Sequence, residues 1–184
     1  KDDFLWLVFA TNRYIELTGD AKILDEEIEF VDGEKLTNNE AEKGINYVYT
    51  NTKKTLFEHL LLSINKSFSE LGENGLPLMG GGDWNDVMNK VGIHGKGSSV
   101  WLGFFLYTIT SKFIQIAKKY KKMDTKDYET KLDRLKKDLN ENAWDRDYYL
   151  RAFFDNNDLL GSSMNQECKI DLISQSFAII SEVI

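Results

Sequence analysis

Residues 75–89 form a short, glycine-rich segment that carries the side chains of this sequence best suited to chemistry. Two carboxylates, Asp83 and Asp86, stand three residues apart with Trp84 between them. Carboxylates serve enzymes as proton donors and acceptors, and an indole ring offers a flat apolar face on which a sugar ring can stack. Asn85 adds an amide that can both donate to and accept from hydroxyl groups. The segment is therefore a candidate sugar site.

The same spacing also describes an ordinary helix start. The glycines at 80–82 permit positive φ angles, Asp83 is a good N-cap, and Asp86 would lie in the first turn of a short helix ending at Val91. From the pattern alone, a helix start and a sugar site are equally good interpretations of this segment. A helix N-terminus favours an ionised carboxylate, whereas a general acid must hold a proton. The acid role therefore requires burial or a nearby anion such as phosphate.

Composition excludes several classes of protein. The chain has 184 residues, 42% of them hydrophobic, which is typical of one folded domain. Its formal net charge of -7 argues against a nucleic-acid or anionic-membrane partner, because there is no basic surplus to neutralise phosphates. We see neither a signal peptide nor a long apolar span, so we expect a cytoplasmic protein with no membrane association.

The cysteine and histidine content gives no support for a structural zinc site. The single cysteine, Cys168, excludes an internal disulfide and is predicted to be a small buried residue. His59 and His94 have no partners at the spacing of metal ligands. We expect His59 to be a packing or surface residue. His94 lies in a glycine-rich loop and is a weak candidate for contact with substrate. For Trp101 and Trp144, core packing is favoured over stacking on sugar.

The elements that must position these residues are predicted to be mainly helical, because the sequence has one proline and few alternating β-branched runs. The predicted helices run from Leu5 to Leu17 with Gly19 as C-cap, from about Thr52 to Phe68, from Asp83 to Val91, from Ser98 to Tyr120, from Thr125 to Leu139 and from Gln166 to Val183. Residues 28–49 are expected to form a long connection with at most short strands.

Long helices joined by glycine-rich loops predict a single domain, residues 1–184, folded as a partial (α/α)6 toroid whose loops at one end build the site. An antiparallel helix bundle is the alternative architecture. The chain starts without a methionine and ends within an apolar pattern, so we interpret it as a fragment of a larger (α/α)6 catalytic domain. Apolar helix faces left uncovered by missing neighbours would then cause self-association.

Residues 75–86, Gly92 and residues 95–103 together resemble glycoside hydrolase family 94, the inverting disaccharide and oligosaccharide phosphorylases. The resemblance is strongest to the phosphorylase-like part of cyclic β-1,2-glucan synthetases and to 1,2-β-oligoglucan phosphorylases. It extends over the whole chain through further stretches: residues 2–7, 18–20, 23–25, 148–155 and 167–176. The central motif, Gly-Gly-Gly-Asp-Trp-Asn-Asp, is long and specific.

This resemblance implies a reaction. Asp86 would be the general acid that protonates the leaving glycosidic oxygen, while inorganic phosphate attacks the anomeric carbon from the opposite face and yields α-glucose 1-phosphate. Phosphate is then a co-substrate, the other substrate is a β-linked gluco-oligosaccharide, and no cofactor or metal is required. The residues expected to bind substrate are Asp3, which would contact sugar hydroxyls before the cleaved bond, Asp83, Trp84, Asn85 and, as a weaker candidate, Gln175.

The sequence also departs from the family's pattern at Val87, at Ser98-Ser99 and at Phe177, where a small residue, an acid and a tryptophan are common. These departures leave Asp86 in place but bear on the fit of substrate. The resemblance implies that the phosphate-binding histidine and its companion loops lie downstream of this region. An alternative therefore stays open, in which the fragment is catalytically incomplete and acts only as a carbohydrate-binding or structural helical domain.

Overall fold

The computed structural model describes residues 1–35, 44 and 46–183, and it confirms that the chain is mainly α-helical with small β-sheets. The helices are α1 (Asp3–Thr18), α2 (Leu56–Phe68), α3 (Val100–Lys121), α4 (Lys126–Asn142) and α5 (Leu172–Ser181). The strands are β1 (Glu27–Asp32), β2 (Val48–Thr55), β3 (Ser98–Ser99), β4 (Trp144–Asp145), β5 (Tyr148–Tyr149), β6 (Ala152–Phe153) and β7 (Leu159–Leu160).

Helix α3 is the centre of the hydrophobic core. It packs against α1, α4 and α5 and buries Trp101, Phe104 and Phe113 almost completely. Its N-cap is Ser99, whose hydroxyl accepts a hydrogen bond from the backbone N–H of Leu102 at 3.1 Å. By length and composition α3 could cross a membrane, which corrects the expectation of no long apolar span. However, 67% of that apolar window is buried inside the protein, as in a core helix.

The ends of α1 and α2 show which local signals were decisive. Helix α1 ends at Gly19, which adopts the left-handed conformation with φ 70°, as predicted. Helix α2 starts later than the predicted Thr52, because Thr55 and Glu58 form a capping box that fixes its first turn. Thr52 instead lies in β2, which pairs antiparallel with β1. Both strands are longer than the short strands expected in this region. Residues 36–43 and 45 of the predicted connection lie outside the described residues.

Four further predictions were wrong. The predicted helix from Asp83 to Val91 is replaced by a single 3₁₀ turn, Asp86–Met88. The last helix begins at Leu172, after its N-cap Asp171, and not at Gln166. Cys168 is exposed and not buried. Trp144 is 45% exposed, and its ring meets the ring of Tyr149 edge-on, with the centroids 4.7 Å apart.

One side of α1 remains uncovered within the described part of the chain. Its exposed apolar residues are Phe4, Trp6, Leu7, Phe9, Tyr14 and Leu17. An apolar surface of this kind favours association with another surface. The self-association expected from the sequence stays a prediction.

Candidate functional site

An open cleft lies between the start of α1 and residues 80–89, which we call the motif loop. The cleft has a volume of about 1550 Å³, counting the space that opens to solvent. Asp3 and Phe4 line it from α1, and Trp84, Asp86 and Asn89 line it from the motif loop. The loop and the helix are joined by a hydrogen bond from the backbone nitrogen of Lys1 to the carbonyl oxygen of Gly82, 3.3 Å long. Four of the predicted site residues, Asp3, Asp83, Trp84 and Asp86, thus share one cleft, and Asn85 is not among its lining residues.

Asp86 is an exposed carboxylate at the start of the 3₁₀ turn. The turn is capped by Asn85, whose side-chain oxygen accepts a hydrogen bond from the N–H of Val87 at 3.2 Å. The N-cap of this segment is therefore Asn85, and not Asp83 as the sequence suggested. Within residues 1–35 and 46–183, no hydrogen bond or ion pair engages the Asp86 carboxylate. This carboxyl group is free to interact with a molecule in the cleft.

Trp84 is held at the edge of the cleft with about half of its side chain open. It is 51% exposed, and its ring meets the ring of Trp101 nearly edge-on, with the centroids 6.4 Å apart at 70°. Trp101 is only 1% exposed, so the core role predicted for it is confirmed. The buried ring supports the exposed one and leaves an indole surface available for a sugar ring.

Asp83 differs sharply from Asp86, because its carboxylate is buried and fully engaged. The Nη2 atom of Arg151 lies 2.8 Å and 2.7 Å from its two oxygens. One oxygen also accepts the hydroxyl of Ser99 at 2.7 Å, and the other accepts the backbone N–H of Asn85 at 3.1 Å. Asp83 lines the cleft but gives its hydrogen-bonding capacity to the protein. Its sugar contact stays a prediction, and its visible role is to hold the motif loop.

The two acids at the chain start also have different environments. The Asp3 side chain is 91% exposed at the cleft, so it is accessible to sugar hydroxyls. Asp2 is 6% exposed, and its carboxylate accepts the indole N–H of Trp6 at 2.6 Å. Asp2 therefore secures the first turn of α1, which leaves Asp3 as the acid available to a ligand. The contact of Asp3 with sugar hydroxyls stays a prediction.

Gln175 is not brought to the cleft. Its amide oxygen accepts the N–H of Tyr149 at 2.9 Å, and its amide nitrogen donates to the Tyr149 carbonyl at 2.7 Å. The side chain thus extends the backbone pairing of β5 from helix α5. This use of both amide ends explains the position of Gln175 by packing alone. Its proposed sugar contact stays an untested prediction.

A second glycine-rich loop, residues 92–97, supports the motif loop from behind. A Cβ atom added to Gly97 would lie 2.2 Å from the Val91 carbonyl oxygen, and one added to Gly92 would lie 2.9 Å from the backbone nitrogen of Gly80. Real Cβ atoms do not approach backbone so closely, so these glycines are required by contact between backbones. Glycine at these positions permits one loop to lie directly on the other.

Asp155 closes the second loop. Its carboxylate accepts backbone N–H groups of His94, Lys96 and Gly97 at 2.9, 2.8 and 2.9 Å. Burial pushes the pKa of this carboxyl up, but the three N–H donors outweigh burial and hold the pKa below its usual 3.8. His94 therefore contributes its backbone to loop closure. The sequence assigned no role to Arg151 or Asp155, because a single sequence does not pair them with loops 58 to 68 residues away.

The described residues, 1–35, 44 and 46–183, contain no group of three or more His, Cys, Asp or Glu side chains that could hold a metal ion. The cleft presents the carboxyl group of Asp86, the indole face of Trp84 and the amide of Asn89. Together these groups can bind a sugar and transfer a proton.

Comparison with known proteins identifies the family. The family model described as "Glycosyl hydrolase 94 superfamily, catalytic domain" matches residues 1–184. The chain belongs to the glycosyl hydrolase 94 superfamily. The observed cleft and the Asp-Trp-Asn-Asp motif are thus features of a catalytic-domain sequence of this superfamily.

Several curated proteins are similar to the chain over nearly its whole length. It is 38% identical over 182 residues to the cyclic beta-(1,2)-glucan synthase NdvB of Rhizobium meliloti, covering 98% of this chain and 6% of that protein. It is 32% identical over 183 residues to the solabiose phosphorylase of Paenibacillus borealis, covering 98% of this chain and 22% of that protein. A 1,2-beta-oligoglucan phosphorylase of Listeria innocua is 29% identical over 126 residues, 65% of this chain and 10% of that protein. The chain thus spans less than a quarter of the length of these relatives.

Proposed function

We propose that the chain forms part of the catalytic domain of an inverting phosphorylase, with Asp86 as the general acid. The enzyme cleaves a β-glucosidic bond with inorganic phosphate and releases α-glucose 1-phosphate. The observation that carries this proposal is the exposed Asp86 carboxyl, which has no partner among the described residues and shares a cleft with the exposed Asp3. Membership of a superfamily with phosphorylase relatives supports the reaction class.

The proposed mechanism needs one carboxyl group from this chain. Asp86 donates its proton to the glycosidic oxygen as the bond between that oxygen and the anomeric carbon breaks. A phosphate oxygen attacks the anomeric carbon from the opposite face and forms the new bond, so the configuration inverts. Inverting glycosidases use a second carboxylate to activate water in this position, and here phosphate replaces both the water and its base. Asp83 is hydrogen-bonded to Arg151 and Ser99, which is consistent with a mechanism that takes its one catalytic carboxyl group from Asp86.

Three neighbours would assist the acid. Trp84 would stack on a sugar ring at the edge of the cleft, where half of its side chain is open. Asp3 would accept hydrogen bonds from hydroxyls of the sugar on the far side of the cleft. Asn85 orients the turn, because its side-chain oxygen accepts the Val87 N–H, and its contact with substrate stays a prediction. We further propose that the helices form part of an (α/α)6 toroid.

The names of the relatives suggest which substrates to test first. Two of them are named for β-1,2-linked glucans, including the relative with 38% identity, and the solabiose phosphorylase is named for a different sugar. We therefore propose a β-1,2-linked gluco-oligosaccharide as the substrate. Oligosaccharides with other β-linkages are the matched comparison.

The test is to follow the full-length protein with oligosaccharide by NMR, in the presence and absence of inorganic phosphate. We expect α-glucose 1-phosphate to form only when phosphate is present. Release of free glucose at an equal rate without phosphate would refute phosphorolysis in favour of hydrolysis. Oligosaccharide binding without any product would favour the alternative, a carbohydrate-binding or structural helical domain.

A further inference from the structure

We propose that Arg151 is a positioning residue for the general acid. It lies outside the motif loop in sequence, yet it is 0% exposed and its guanidinium contacts the loop directly through Asp83. The inference rests on the proposed function of Asp86 and extends it. Arg151 would not touch the substrate; it would hold the loop so that the Asp86 carboxyl faces the glycosidic oxygen.

The guanidinium of Arg151 joins three elements. Its Nη2 atom lies 2.7–2.8 Å from the Asp83 oxygens, and its Nη1 atom donates to the Ser99 hydroxyl at 3.2 Å. Its Nε atom lies 3.5 Å from an oxygen of Asp171. Ser99 is the N-cap of α3 and Asp171 is the N-cap of α5. One side chain therefore fixes the motif loop relative to the first turns of two helices.

The path from Arg151 to Asp86 is short and consists of hydrogen bonds. Asp83 accepts the backbone N–H of Asn85 at 3.1 Å, and Asn85 in turn caps the 3₁₀ turn that begins at Asp86. Among the described residues, the hydrogen bonds that connect residues 83–87 to positions beyond the motif loop are made by the Asp83 carboxylate. Without Arg151, the Asp83 carboxylate would keep only the Ser99 hydroxyl as a hydrogen-bond partner outside the motif loop.

Arginine is suited to this position for geometric reasons. Its planar guanidinium presents donors in several fixed directions, so it can bond to Asp83 and Ser99 while it stays beside Asp171. A lysine ammonium keeps the positive charge but is a single point on a flexible stem, so it cannot reproduce this arrangement of contacts. Arg151→Lys should therefore preserve the charge of the buried cluster and lose the orientation of the loop.

The experiment compares two substrates that depend differently on the acid. An oligoglucan has a poor leaving group that needs protonation, whereas a dinitrophenyl β-glucoside has an activated leaving group that departs without it. In the full-length protein, we expect Arg151→Lys to lower kcat on the oligoglucan by about 100-fold, as for a group misplaced by about 1 Å. The kcat on the activated glucoside should change by less than about 3-fold, because Asp86 contributes little to that reaction. KM should stay similar for both.

Two reference variants complete the design. Asp86→Asn should show the same dependence on the leaving group, since it removes the acid itself. Arg134→Lys is the matched control, because Arg134 pairs with Asp138 at 2.9 Å on α4 and is 71% exposed. It should leave both rates unchanged. If Arg151→Lys does not fold, Asp171→Asn is used, because Asn still caps α5 and only the charge beside the guanidinium is lost.

The outcomes distinguish the positioning role of Arg151 from the proposed function of Asp86. A loss confined to the oligoglucan, in Arg151→Lys or more weakly in Asp171→Asn, supports a positioning role. An equal loss on both substrates, or wild-type rates on both, would overturn it while Asp86→Asn still supports the proposed function. Absence of phosphorolysis in the wild-type protein, or no leaving-group dependence in Asp86→Asn, would refute the proposed function and the inference together.

Discussion

Replacing Asp83 by asparagine should destabilise the protein by removing one partner of its buried ion pair. The side chains of Asp83 and Arg151 are 0% and 1% exposed, so solvent cannot replace the lost carboxylate. Asparagine has nearly the same volume, so the change tests charge and hydrogen bonding and not packing. The Arg151 guanidinium would then keep only Asp171, at 3.5 Å, as a charged neighbour.

The expected magnitude follows from this geometry. Breaking a buried pair by removing one partner costs about 3–5 kcal/mol, since the other charge remains buried. Because Asp171 still compensates part of the Arg151 charge, we expect the lower end, about 3 kcal/mol. For a domain of this size that corresponds to a fall of roughly 6–12 °C in Tm.

The assay is urea unfolding of the wild type and the Asp83→Asn variant at pH 7, with Tm as a second readout. The matched control is Asp127→Asn, because Asp127 forms an exposed pair with Lys131 one turn away on α4 and its side chain is 73% exposed. That control should lose about 0.5 kcal/mol or less. Adding Arg151→Met to Asp83→Asn should recover part of the stability, because no unpaired guanidinium remains. A cost below about 1 kcal/mol for Asp83→Asn would refute the reasoning.

Three further predictions concern the loops and the surface. Gly97→Ala should lower the free energy of unfolding by more than about 2 kcal/mol in urea, since its Cβ would lie 2.2 Å from the Val91 carbonyl oxygen. The control is Gly81→Ala, whose Cβ would meet nothing within 4 Å and which should cost less than about 1 kcal/mol. Equal costs for the two variants would contradict this prediction. Asp155 has a lowered folded pKa, so its contribution to stability is present above its usual pKa of 3.8 and is lost as pH falls through the folded value. Stability measured from pH 6 to pH 2 should therefore fall less steeply in Asp155→Asn, and identical slopes would oppose this. Sedimentation should show concentration-dependent association through the exposed apolar side of α1, whereas a monomer at all concentrations would count against it.

Local signals in the sequence predicted much of the fold. The apolar spacing and the serine before it located α3, and Gly19 located the end of α1, because caps and periodicity act within a few residues. Local spacing also predicted a helix start near Thr52. This residue instead lies in β2, because β2 pairs with β1, a strand distant in the sequence. Secondary structure that depends on a partner far along the chain is not visible in a local pattern.

The sequence pattern indicated residues that line the cleft, but it did not indicate the residues that hold the motif loop in place. The motif indicated Asp86 and Trp84, and both line the cleft. The motif also suggested Asp83 as an N-cap, which is wrong: Asn85 caps the 3₁₀ turn, and Asp83 pairs in the interior with Arg151, 68 residues away. Asp155 likewise gave no signal, since its three acceptor contacts are with backbone groups of any residue type. Long-range polar contacts were the part that the sequence could not show.

The most direct test of the central claim is the rate of α-glucose 1-phosphate release from a β-linked gluco-oligosaccharide by the Asp86→Asn variant of the full-length protein. General acid catalysis contributes about 10²–10⁴-fold, so we expect kcat to fall by that factor while the substrate still binds. Asp133→Asn, an exposed acid on α4 outside the cleft, should keep the wild-type rate. A wild-type rate in Asp86→Asn would contradict the assignment of Asp86 as the proton donor.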